Sequence, residues 1–72
     1  MPNENLLATA AGYRQRIQMI TVQLDMLRSG KMRTGKSRGH QMVDDTGDTI
    51  ARLVAAKSEY EGALDILVSA MR

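Results

Sequence analysis

Cysteine, tryptophan and phenylalanine are missing from these 72 residues, and each absence narrows what the chain is able to do. Without cysteine there is no disulfide framework and no thiolate metal centre. A single histidine, His40, leaves no His-rich metal site. Tyr13 and Tyr60 are the only aromatic residues, so the apolar content rests on Leu, Ile, Val, Ala and six Met. That composition favours helices, because strands draw on β-branched and aromatic side chains. No apolar run approaches the roughly 20 residues that span a bilayer. The start, Met-Pro-Asn-Glu-Asn, lacks the basic opening and apolar stretch of a secretory signal. A soluble cytoplasmic protein with no membrane partner is therefore expected. A chain of 72 residues makes one domain at most and buries a small share of its surface. Scaffolds of this size usually add disulfides, metal or partners. With disulfides and metal removed, self-association is the staple that remains.

What is present is arranged unevenly. The formal net charge is only +2. Arg28, Lys31, Arg33, Lys36 and Arg38 nevertheless lie together with no acid among them, while Asp44, Asp45 and Asp48, then Glu59, Glu61 and Asp65, gather further on. That asymmetry says more about partners than the net charge does.

The first half carries an unbroken heptad seam, Leu6, Ala10, Tyr13, Ile17, Ile20, Leu24 and Leu27, which is the spacing of one face of a packed helix. A helix is predicted over about 4–29, with Pro2 just outside it, Asn3 or Asn5 as its cap and Gly30 at its stop. A second row, Met19, Val22 and Met26, widens the apolar face beyond what a two-helix hairpin needs and suggests contact with another chain. Gly12 interrupts the pattern, at a cost of about 1 kcal/mol relative to Ala, and is explained either by a close helix crossing or by simple tolerance.

A second seam, Ile50, Leu53, Lys57, Tyr60, Leu64, Leu67 and Met71, predicts a helix over about 45–71. Lys57 is its one polar break, with a stem long enough to snorkel outward. Ala56, Ala63 and Ala70 recur beside the seam at a spacing that lets a neighbouring helix come close, and Val54, Ile66 and Val68 add apolar atoms outside it. Asp45, Thr46 or Asp48 is the expected cap, the acids suiting the positive end of the helix dipole. The pattern implies an all-α fold: an antiparallel helical hairpin with a basic, Gly-rich connecting loop over about 30–44, assembled as a homo-oligomeric bundle with coiled-coil character. The connection is either irregular or a short hairpin pairing Lys31–Thr34 with His40–Val43 across Gly35–Gly39, unless Met42 and Val43 already begin the second helix.

Three stretches invite a chemical reading. The run from Gly30 to Ser37 matches the written pattern of a phosphate-binding P-loop, but it follows a helix where that motif requires a strand before it and a helix after it. Glycine-exposed backbone N–H groups among Lys31, Arg33, Lys36, Ser37 and Arg38 still suit an anionic ligand, against the plainer reading of a solvated basic turn. The acids Asp44, Asp45 and Asp48 fall short of a calcium-loop pattern, and helix capping accounts for them, so no metal site is expected. His40 has no partner that would orient it as a base, and no enzyme or cofactor is expected. Tyr13 beside Arg14 and Arg16 reads first as core packing and second as a platform for a base and its phosphate.

Two resemblances add to this. The stretch Tyr60-Glu61-Gly62-Ala63-Leu64, continuing to Ser69-Ala70-Met71-Arg72, with Tyr13 on the first helix and Ser37-Arg38 before the second, resembles the phage helical-hairpin sponges that sequester the cyclic nucleotide signals of CBASS and Thoeris immunity. That resemblance implies a non-catalytic homo-oligomer in an infected bacterial cytoplasm, holding its ligand between protomers by Tyr stacking and Lys/Arg contacts to phosphate. Tyr13, Arg14, Arg16, Lys31, Arg33, Lys36, Ser37 and Arg38 are the candidate ligand residues. The centre of the chain resembles instead a phage head-to-tail joining protein. Leu27-Arg28-Ser29-Gly30-Lys31 ends a first helix, and a short basic hairpin and a second helix follow. This second resemblance implies a structural ring component of the virion neck. The leading expectation is sequestration of a small phosphate-bearing nucleotide, with the joining role and nucleic-acid binding by the helical hairpin as alternatives.

Overall fold

The seams fold as their spacing requires. In the computed structural model, which describes the backbone over residues 2–71 and side chains over 4–71, helix α1 runs Pro2–Arg28 and helix α2 runs Thr46–Ala70. Between them stand two antiparallel strands, β1 (Gly35–Arg38) and β2 (Gln41–Asp44). Both helices adjoin the strand pair at one end and meet again where Tyr13 touches Tyr60, so they run antiparallel. All fourteen seam positions are buried or half-buried, Lys57 included. The tightest packing lies toward the strand end of α1, at Ile20, Leu24 and Leu27, with Ala10 buried further along.

The start of α1 differs from expectation, while its stop falls at Gly30 as expected. Pro2 opens α1 instead of standing outside it; its missing N–H costs nothing in a first turn, where that donor has no intrahelical partner. Asn5 therefore lies inside the helix, its carbonyl accepting a hydrogen bond from Thr9 Oγ1, while the expected Asn3 cap falls outside the described side chains. At the other end Gly30 adopts φ +81°, where a residue with a Cβ would be strained. This left-handed step lets Gly30 N donate to Leu27 O and Met32 N to Met26 O, which satisfies carbonyls the helix leaves open. Helix α2 ends with Met71 N donating to Leu67 O and Val68 O.

The connection is not a purely irregular loop, and the fold is therefore not strictly all-α. Gly35 pairs with Asp44, Lys36 with Val43, Ser37 with Met42 and Arg38 with Gln41. The strands thus sit further along β1 than the pairing of Lys31–Thr34 with His40–Val43 would place them. Gly39 takes φ +61° at the first central position of a two-residue turn, the demand of a type II′ hairpin, and a short turn of that kind displaces a five-residue one. Met42 and Val43 belong to β2 and do not begin α2. Apolar alternation is faint in these strands because both faces of the pair are open to solvent; Val43 alone is half-buried.

The molecule measures 55 × 24 × 15 Å, with a radius of gyration of 16.3 Å against about 11 Å for a compact domain of this length. No helix among the described residues is long and apolar enough to cross a membrane.

Candidate functional site

The half-buried tyrosines of the two seams meet at mid-length. Their ring centroids lie 5.8 Å apart with the planes inclined at 41°, within the range of favourable aromatic pairing. Arg16, one turn beyond Tyr13, reaches across α2: its Nη1 donates to Tyr60 Oη at 2.9 Å, and its Cζ lies 5.6 Å from the Tyr60 ring centroid. The guanidinium is thus held by a hydrogen bond and by the ring together. Beside this pair is a shallow, open depression of about 370 Å³ lined by Arg16, Met19, Ile20, Gln23 and Tyr60. Its walls are mostly apolar, with a guanidinium, a phenol and an amide at the rim.

The candidate residues named from sequence do not converge within one protomer. Tyr13 and Arg16 belong to the mid-helix cluster. Arg14 is exposed and, two residues from Arg16, projects from the other flank of α1. Lys31 is exposed after the Gly30 turn. Arg33 pairs with Asp44 at 3.4 Å, both side chains well exposed, so its charge is partly spoken for. Lys36 and Arg38 share one face of β1, and Ser37 points to the other, its Oγ donating to Gly39 O at 3.4 Å. Arg16 stands roughly 18 Å along α1 from Arg28 and further still from these strand residues. Lys36 and Ser37 lie in a strand ladder, and a second strand follows them where the motif requires a helix, so the P-loop pattern has no P-loop geometry.

A polar joint closes the base of the strand pair. Thr46, 6% exposed, is the one buried polar residue among the described residues. Its Oγ1 accepts from Thr34 N at 3.1 Å and lies 3.3 Å from Thr34 O, while its backbone N donates to Asp44 Oδ1 at 2.9 Å and its hydroxyl is also in contact with that oxygen. Thr34 Oγ1 and Thr49 Oγ1 share a 2.8 Å hydrogen bond, and Asp45 N donates to Thr34 O. The helix cap is therefore supplied by Asp44. Asp45 occupies the N-cap position without a side-chain cap bond, and its buried Oδ1 has no partner among the described residues. The hydrogen bonds from Thr46, aided by the Arg33 charge, hold the Asp44 carboxyl below its ordinary value of 3.8. The sequence signal, threonines and aspartates bracketing the strand pair, was visible, but only the turn geometry decides which of them pair.

Asp44 is engaged by Thr46 and Arg33, and no group of three or more potential metal ligands gathers among the described residues. His40 stands exposed in the two-residue turn. No protein-family model matches the chain, and no curated protein or solved structure matches it.

Proposed function

We propose that the chain is a non-enzymatic structural protein that works as a homo-oligomer, a ring component of a phage head-to-tail joint. The observation that carries this reading is the antiparallel strand pair standing between the two long helices. Helix, short basic hairpin, helix is the layout that the head-to-tail joining resemblance implies, and the spacing of the two seams alone does not demand such a hairpin. The elongated form and the surface left apolar outside the helix seam support assembly with other copies. A layout is an analogy, so the test is functional. Deletion of the gene from its parent genome is expected to yield separate heads and tails in electron micrographs. Intact, infectious particles would contradict the proposal.

The mid-helix cluster favours a second reading, capture of a small nucleotide. Arg16 fixed against Tyr60, beside an apolar depression, offers a guanidinium for phosphate and an aromatic edge for a base. Titration calorimetry with cyclic di- and trinucleotides separates the readings. Submicromolar binding lost in Tyr60→Ala supports sequestration. Binding only to a DNA duplex, falling steeply with salt, points instead to the exposed Lys36 and Arg38 face.

A further inference from the structure

A second row on α1, outside its seam, has an order of its own. Ala8, Gly12, Gln15, Met19, Val22 and Met26 follow one another at intervals of four and three residues, a second heptad row without a charge in it. Met19 and Val22 are 58% and 51% exposed, Met26 lies at 36%, and Gly12 is half-buried with nothing within 4 Å of a Cβ built on it, so most of this row is open. The chain exposes 5534 Å², whereas a compact monomer of 8.0 kDa exposes about 4,450 Å². The excess, about 1,100 Å², exceeds the roughly 800 Å² that one partner contributes to a stable interface.

We infer that this row receives the outer face of α2 from a second copy of the chain, head to tail. The contact deepens the homo-oligomeric reading above and rests on it. Tyr13 beside Tyr60 fixes which residues of the antiparallel helices stand at equal height. A copy set alongside at that height, strand pairs at the same end, brings Val22 level with Ala51 and Met19 within one residue's rise of Ala55. It sets Gln15 level with Ser58 and the small Ala8 within one residue's rise of Ile66, which is 73% exposed in the single chain. Met19 and Val22 meet small residues of α2, Ile66 meets a small residue of α1, and Gly12 falls to Gly62, where the two backbones are able to come close.

Charge agrees with shape. Arg16 and Arg14 flank the α1 row on its two sides, and Glu59 and Glu61 flank the outer face of α2 on its two sides. Two antiparallel helices facing each other bring corresponding edges together, so Arg16 comes within two residues' rise of Glu59, and Arg14 within two of Glu61, of the second copy. Because the two faces differ, each copy retains one free α1 row or α2 face after pairing, and the contact propagates into a ring when the rotation closes.

The test is a pair of cysteines, Met19→Cys and Ala55→Cys, in the otherwise native chain, treated with a short bis-maleimide at micromolar concentration. The double variant is expected to give a ladder of dimers, trimers and higher species under denaturing electrophoresis, and each single variant none. Both positions are exposed in the single chain, so circular dichroism should show unchanged helicity. Cross-linking of Met19→Cys alone would place two α1 rows against each other and overturn the inference. Absence of a ladder where the native chain sediments as an oligomer would overturn this surface and leave self-association standing. Absence of a ladder from a chain that sediments as a monomer would overturn both.

Discussion

Arg16 donates to the Tyr60 hydroxyl across the two helices, 2.9 Å from Nη1 to Oη, and by this bond the middle of α1 is tied to the middle of α2. The guanidinium is exposed, so the bond competes with water and its net worth is small. Tyr60→Phe keeps the ring contact with Tyr13 and removes the acceptor. It is expected to lower stability by less than about 1 kcal/mol in urea unfolding. A loss several times larger would show that the hydroxyl holds the helices together.

Thr46 is a different case, because its hydroxyl is buried between the strand pair and α2. Thr46→Val keeps the shape and leaves Thr34 N without its acceptor, at an expected cost of about 1–3 kcal/mol by chemical unfolding. Thr46→Ser, which retains the hydroxyl, should recover most of that loss. Equal damage from both would assign the effect to packing.

Acid should loosen the same joint. The Asp44 carboxyl titrates below its ordinary value in the folded chain, so the unfolded chain binds the proton more readily. The stabilisation it contributes is fully present above about pH 4 and is lost as the pH falls through the lowered value. Asp44→Asn should flatten that acid limb of a stability-against-pH curve. An unchanged limb would mean that other carboxylates govern it.

Two glycines should respond to alanine in opposite ways. Gly39 holds φ +61° in the turn, and Gly39→Ala is expected to cost about 1–2 kcal/mol and to weaken the strand pair. Gly12 lies inside α1 in open space, and Gly12→Ala is expected to stabilise the single chain by about 1 kcal/mol in thermal melts. If Gly12 also lies against a second copy, the same substitution weakens assembly, which sedimentation of the variant reads independently of the melt.

The sequence told its helices plainly. Leu6 to Leu27 and Ile50 to Met71 lie buried or half-buried at every seam position because a heptad repeat leaves one face to bury. The exposure of Met19, Val22 and Met26 was equally legible as a row in excess of the hairpin's needs. The strand register was not, since a solvated two-stranded pair needs no apolar alternation and the choice fell to one positive φ at Gly39. The Asp44 cap was hidden for a related reason: several aspartates and a threonine compete for one helix start, and the turn decides among them. In the candidate site, Tyr13 and Arg16 were named, but their shared partner Tyr60 depended on how the two seams align, which neither seam states alone.

The central claim is that this elongated hairpin completes its packing with other copies of itself, and sedimentation velocity across the micromolar range tests it most directly. The account predicts a species whose mass is a multiple of 8.0 kDa, shifting toward monomer on dilution. A single 8.0 kDa species, folded and unchanged at every concentration, would contradict it.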